Sequence, residues 1–588
     1  MKNIALAFSG GGYRAACFSL GSLSYLRNVE YGGAPLLEKV KFISSTSGGS
    51  ITNLVYAQFL FGGKTFEEAY RFLLDEMDGE KLLASATGVL SSSREWSERP
   101  DKSRNLINAF SIAYDRLFKK ADFSLFSDRS HQPHLEEICV NATEFTNGLP
   151  FRFQSQDPAS QHNGKVGNRF IFFNRNGLPL ALKLKLADIL ASSSCFPSGF
   201  EPMIFPNDFT YKGLDADALR SAISFTGNSF TLRELDDEKL SARKLSGDQS
   251  NPSETDTGYI AAKNTPGRVL KYGNVDIIPD KEFTEKFHFG LMDGGVDDNQ
   301  AIDAFEKAYA RKVSSKAEPY NLFISCDVTS NFLDGYTLPL QKKGLFSRVP
   351  LYVFIILWIA AMAVLPALLI WAARPWTGID FVGATISAIT WLPALYLLYT
   401  WIQNLLTDRT SNSSFNAMLK KYGPRFLTLP LGAIKHMIAA RIKSVFLLAN
   451  DIYLKQIRRM YYSDVFTSPV YHPISIQNAI YDLSRVNFKD TDPSDPFSPS
   501  DDMITLAEQA RMMGTTLWFD SNNQSAEMKK AIVVTGQFTT CYNLLKYISR
   551  LEQTNTGNHT ATEAELTQLK RRLEADYVKF KARADFMY

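Results

Sequence analysis

Three glycine-rich segments carry residues able to do acyl chemistry. Ser45-Thr46-Ser47-Gly48-Gly49-Ser50 follows the apolar run Val40–Ser44 and precedes a second apolar run, Ile51–Phe61. A strand, a tight turn and a helix in that order push the central serine, Ser47, into an exposed position. Small neighbours such as Gly49 let strand and helix close on each other, the logic of a nucleophile elbow. The helix start would also favour negative charge developing beside Ser47. Ser9-Gly10-Gly11-Gly12-Tyr13-Arg14 turns out of the first apolar run. Consecutive glycines let backbone N–H groups converge, which suits an oxyanion hole or a phosphate cradle. Met292-Asp293-Gly294-Gly295 brings a carboxylate to a glycine turn, where it could meet a serine hydroxyl or simply close an Asx turn.

The elements that must position these residues alternate. Short strands are expected at Ile4–Phe8, Val40–Ser44, Glu137–Thr143, Phe151–Phe153, Arg169–Asn174 and Tyr320–Cys326, with helices at Arg14–Arg27 and about Ile51–Phe61. Such alternation predicts an α/β fold whose mainly parallel sheet is covered by helices on both faces.

In this order the glycine turn, the serine and the aspartate resemble the patatin-like phospholipases, related to the catalytic domain of cytosolic group IV phospholipases. A fourth segment, Ala191-Ser192-Ser193-Ser194-Cys195-Phe196-Pro197 with Gly199-Phe200-Glu201-Pro202, resembles that family's Ala-Ser-x-Ala-x-Pro-x-x-Phe-x-Pro stretch. The resemblance spans residues 1–335 and implies a patatin-like three-layer fold. It implies that Gly10, Gly11 and Gly12 form the oxyanion hole, that Ser47 is the nucleophile and that Asp293 takes its proton. Arg14 matches the arginine that follows the turn, and either a lipid headgroup or the turn itself could be its partner. Gly294, Gly295 and Pro197 complete the motifs. One departure stands out: Ser45 occupies the first glycine of the usual Gly-x-Ser-x-Gly. No histidine lies in a motif that marks a general base, although His288 is five residues before Asp293.

Outside these motifs the chain divides further. Residues 207–280 read as a loop-rich insertion. Leu351–Ala373 carries no charge and would reach about 34 Å as a helix, against about 30 Å of hydrocarbon. Arg374–Asp380 and a second uncharged stretch to Leu406 complete the expectation of a two-helix transmembrane hairpin over 349–406. Basic residues on both sides place the flanking portions in the cytoplasm, at a bacterial inner membrane. Residues 407–588 are expected to be mostly helical. Within them Phe415–Met460 either lies along headgroups or packs on a soluble domain, Thr491–Asp502 is a loop, and the tail from Ala561 to about Arg583 is a solvated helix.

The 588 residues exceed one ordinary core. A net charge of +3 from 64 basic and 61 acidic residues gives no reason to expect nucleic acid. Five scattered cysteines without a CxxC pair argue against a disulfide framework or a zinc site. The reading is a serine acyl-hydrolase acting on phospholipid or lysophospholipid esters, with membrane lipids as partners and no cofactor or metal. No protein partner is identifiable, and homo-oligomerisation is left open. The alternatives are an acyltransferase using the same dyad and a non-catalytic lipid-binding scaffold.

Overall fold

The computed structural model describes residues 2–145, 148–197, 199–225, 270–272, 275–277, 288–329, 347–354, 356–357, 428–488, 495–519, 525–554 and 561–588. Its main sheet has eleven strands, numbered in chain order: β1 Ile4–Phe8, β2 Val40–Thr46, β3 Glu137–Glu144, β4 Leu149–Gln154, β5 Lys165–Gly167, β6 Ile171–Phe173, β7 Met203–Phe205, β8 Ile223–Phe225, β9 Phe289–Asp293, β10 Leu322–Asp327 and β11 Ser475–Ala479. The spatial order is β8-β6-β5-β4-β3-β2-β1-β10-β11, with β9 paired to β3 and β7. From β3 to β11 the neighbours run parallel, while the wing from β3 to β8 is antiparallel.

The helices that matter for the site are α1 Gly12–Asn28, α2 Gly48–Phe61, α3 Leu106–Leu117, α4 Leu186–Ser194, α5 Ile302–Ser314, α6 Leu431–Leu447, α7 Leu454–Phe466, α8 Asp501–Met512, α9 Ser525–Thr554 and α10 Ala561–Ala582. Strand alternation sorts them into layers. Ile4, Leu6 and Phe8 belong to a large apolar cluster with residues of α1, α2 and α9. Ala5, Ala7 and Phe42 point the other way, into a smaller cluster with Ile302, Phe305 and Val465 of α5 and α7. The expected helix–sheet–helix sandwich is therefore present.

Residues 1–332 and 454–588 form one compact unit, and residues 333–453 a second. The last third of the chain supplies a strand to the first unit: β11 adds in parallel to β10, Phe323 opposite Ser475 and Asp327 opposite Ala479. Its sequence, SIQNA, is too short and polar to announce a strand. Nor is α10 a solvated helix. Leu569, Leu573, Tyr577 and Phe580 are buried, and this i, i+4, i+8, i+11 stripe is masked in the sequence by dense charge on the opposite face.

The transmembrane hairpin needs correction. Among the described residues no helix is long and apolar enough to cross a membrane. Crossing takes about 20 predominantly apolar residues. α6 has 17 residues and carries Lys435, Arg441 and Lys443, while the longer α9 is interrupted by Lys529, Lys530, Lys546 and Arg550. Most of 349–406, and most of the insertion expected over 207–280, lies outside the described residues.

Candidate active site

The register of β3 explains why Ser47 and Asp293 meet. β2 runs parallel to β3 and ends with Thr46 opposite Asn141. β9 runs antiparallel on the same side and ends with Asp293 opposite Ala142. The C-terminal ends of two strands thus converge on adjacent residues of a third. Ser47 is the next residue after one end, and Asp293 is the other.

Ser47 is the residue before α2 and has φ 49° and ψ −122°, a conformation that costs a non-glycine residue about 1–3 kcal/mol. From Phe42 to Ala57 it is the only residue that is not buried, so the strained turn lifts this one side chain into the open. Asp293 is 2% exposed. Its carboxyl accepts the Gly295 N–H at 2.7 Å and lies near the Ser47 hydroxyl. Burial pushes its pKa up to about 6, against the opposing pull of the Gly295 N–H and the Ser47 hydroxyl. His288 stands at the start of β9, exposed and about 17 Å along the strand from Asp293.

The glycine turn lies directly against the elbow. A Cβ on Gly10 would fall 3.2 Å from Ser47 Cβ, and one on Gly48 would fall 2.5 Å from the Gly12 nitrogen. Gly49 lies so close to β1 that its Cβ would meet the Phe8 and Ser9 carbonyls at 2.7 Å. Gly11 and Gly12 have φ of 140° and 59°, which an L side chain resists. The Gly10 N–H is already committed to the Asn299 carbonyl at 2.8 Å. The Gly11 and Gly12 N–H groups have no protein acceptor among the described residues.

The fourth motif supports the other two. Ser193, near the end of α4, accepts the Ser47 N–H at 2.9 Å and donates to the Asn141 carbonyl at 2.6 Å. Its own carbonyl takes the Gly294 N–H at 3.2 Å, and the Cys195 carbonyl takes the Asp293 N–H at 3.1 Å. Pro197 sits in the turn that follows. Ser45, the departure from the elbow pattern, is used in full: Asn53 Nδ2 donates to its hydroxyl at 2.8 Å and Ser50 Oγ at 3.0 Å.

Arg14 is tied to the C-terminal loop. Its guanidinium donates to the Arg511 and Met513 carbonyls at the end of α8, and burial lowers its pKa to about 10 despite the charge of Asp327. The same C-terminal loop places the Thr516 carbonyl on the Tyr13 N–H at 2.8 Å. Two residues to which the sequence assigned no role, Asn299 and Thr516, therefore close the site. Asn299 had a faint signal, four residues beyond Gly295; Thr516 had none.

Residues 6–220 match the family model for patatin-like phospholipase. This segment is a patatin-like phospholipase domain. The match ends before Asp293, whose place beside Ser47 rests on the geometry above. No curated protein matches the chain. Among solved structures, human GIVD cytosolic phospholipase A2 is 14% identical over 33% of this chain and 28% of its own, with a TM-score of 0.25. Its complex with methyl gamma-linolenyl fluorophosphonate gives 16%, 29%, 25% and 0.22 in the same order. VipD from Legionella pneumophila is 10% identical over 54% of this chain and 77% of its own, with a TM-score of 0.17. The chain thus spans about a quarter of the human enzyme, and likenesses this slight carry no argument.

A cavity of about 830 Å³ beside the patatin-like domain's α3 and α4 is lined by Arg99, Lys102, Asp115, Lys185 and Asp188, and by neither Ser47 nor Asp293. The buried Lys102–Asp188 ion pair at 2.6 Å gives it a charged wall unsuited to an acyl chain.

Proposed function

We propose that the chain hydrolyses fatty-acyl esters of membrane phospholipids or lysophospholipids through a Ser47–Asp293 dyad. The observation that supports this reading is the convergence of two strand ends that sets a strained, outward-facing serine beside a buried carboxylate with a raised pKa. A carboxylate near pKa 6 is a far better base than one at the reference value of about 3.9, yet it is still ionised at neutral pH.

Ser47 Oγ attacks the ester carbonyl and passes its proton to Asp293. The developing oxyanion is held by the N–H groups of Gly11 and Gly12, since Gly10 is engaged with Asn299. The N-terminus of α2 adds its positive end beside the reacting atom. Asp293 returns the proton to the leaving alcohol, and then takes one from the water that releases the fatty acid from Ser47. Arg14 acts in this scheme as a tie between the glycine turn and the C-terminal loop.

The test is labelling with an alkyl fluorophosphonate, followed by lipid-product analysis on mixed phospholipid vesicles. Wild type should be labelled and release fatty acid. Ser47→Ala should do neither, and Asp293→Asn should be labelled at least about a hundredfold more slowly, a range typical for loss of a general base. Undiminished labelling of Ser47→Ala would remove the dyad. Transfer of the acyl group to a second lipid, with no free fatty acid, would replace hydrolysis by transacylation.

A further inference from the structure

In the second unit, residues 333–453, the helix α6 shows water an apolar face with nothing acidic on it. Ile438, Ile442, Val445 and Leu448 are between 51 and 63% exposed. Their spacing of four, three and three residues puts them on one side of the helix. Ile452 and Tyr453, at the end of the π-turn Leu448–Tyr453 that continues α6, are exposed as well. Soluble surfaces tolerate isolated apolar residues, but a contiguous row of this kind marks a binding surface.

The charges on α6 itself are of one sign. The helix LGAIKHMIAARIKSVFL has no Asp or Glu, and Lys435 and Arg441 are exposed on the same side as Ile438 and Ile442. Basic side chains of this length can lay their stems along an apolar surface and lift the charge to its rim. The start of α6 is fixed beside another helical start. Leu431 N–H donates to the Val349 carbonyl at 2.8 Å, and Leu351 N–H donates to the Leu429 carbonyl at 3.0 Å. Beyond that bridge Tyr352, Ile356 and Leu357 are also exposed.

We propose that α6 is a lipid-docking helix that lies in the headgroup region of an anionic bilayer, with the Ile438–Ile442–Val445–Leu448 face inserted and Lys435 and Arg441 paired with lipid phosphates. The charge pattern favours this occupant over a second copy of the chain. A twofold pairing of this face would bring two sets of basic side chains together with no acid on α6 to offset them. An anionic headgroup layer satisfies both cations and accepts the apolar row about 5–10 Å deep. The inference deepens the lipid-hydrolase reading by naming the surface on which the enzyme works, and it rests on that reading for the choice of partner.

The experiment is flotation of the full chain with phosphatidylcholine vesicles, with and without added phosphatidylglycerol. Turnover of a short dispersed ester is measured in parallel. Wild type should float with the anionic vesicles and release as salt is raised. Ile438→Asp with Ile442→Asp should cut the bound fraction at least about tenfold, since each buried methylene contributes several-fold to partition. Lys435→Gln with Arg441→Gln should abolish the preference for anionic vesicles while sparing weak binding. All should keep wild-type melting and dispersed-ester turnover, because these side chains are exposed. Absent flotation by wild type, or undiminished flotation by the Ile→Asp pair, overturns the proposal. An oligomer split by that pair with flotation unchanged also overturns it and assigns the face to a second copy. Flotation as expected with no ester turnover by wild type would leave the docking helix standing and sink the proposed catalysis instead.

Discussion

Ser193 Oγ accepts the backbone N–H of Ser47 at 2.9 Å while donating its own proton to the Asn141 carbonyl at 2.6 Å. One buried hydroxyl therefore holds the strained turn to β3, the strand on which Asp293 is registered.

Removing that hydroxyl should loosen the elbow without touching the reacting groups. Ser193→Ala leaves a buried N–H and a buried carbonyl short of a partner, at about 1–3 kcal/mol each. We expect fluorophosphonate labelling to slow about 10- to 100-fold, with a lower Tm and labelling still confined to Ser47. Unchanged labelling kinetics would show that the elbow holds its geometry without Ser193.

Asp293 should set the acid limb of the pH profile. Its folded-state pKa is raised to about 6, and the carboxylate is the form that accepts the Ser47 proton. kcat/KM should therefore rise with pH, about tenfold from pH 5 to pH 7, and level off above. Asp297 is also raised to about 6, but it hydrogen-bonds Tyr461, so Asp297→Asn should keep this limb. A limb that follows Asp297 instead would move the base assignment.

Gly12→Ala should damage both the turn and its cover. Its φ of 59° strains any L residue, and the new Cβ would fall 2.2 Å from the Thr516 carbonyl. Backbone cannot give way as a side-chain tip can, so we expect a loss of about 2–4 kcal/mol in stability. Faster hydrogen exchange across 513–519 should accompany it.

Arg14 offers a test between structure and recognition. Its Nη1 alone donates to both the Arg511 and Met513 carbonyls, and the shorter, unfixed side chain of a lysine holds that nitrogen in place less well. Arg14→Lys should increase exchange or proteolysis near 511–519. It should lower turnover of phosphate-free esters and phospholipids by the same factor. A loss confined to phospholipids would return Arg14 to headgroup binding.

Much of the site is local in the chain, and that part could be read. Ile4–Phe8 and Val40–Thr46 lead into turns whose small residues advertise close backbone approach, and Asp293 carries its own glycines. The remainder depends on contacts between distant residues. Nothing around Thr516 indicates that its carbonyl will meet Tyr13, because the partners are about five hundred residues apart. Arg14 had two readings until Arg511 and Met513 were seen to occupy it. The uncharged run at Leu351 suggests a span on hydropathy alone, whereas no helix among the described residues is long and apolar enough to be one.

The parallel edge of β10 has a consequence for synthesis. Its partner β11 follows about 150 residues later, so at roughly 5–20 residues per second the ribosome leaves that edge open for about 8–30 s. An open parallel edge invites pairing with other chains. The glycine turn waits longer still, roughly 25–100 s at the same rate, for Thr516. The nascent chain should therefore carry both residues of the dyad well before the glycine turn beside them is covered, which delays any hydrolytic activity until the segment around Thr516 has been made.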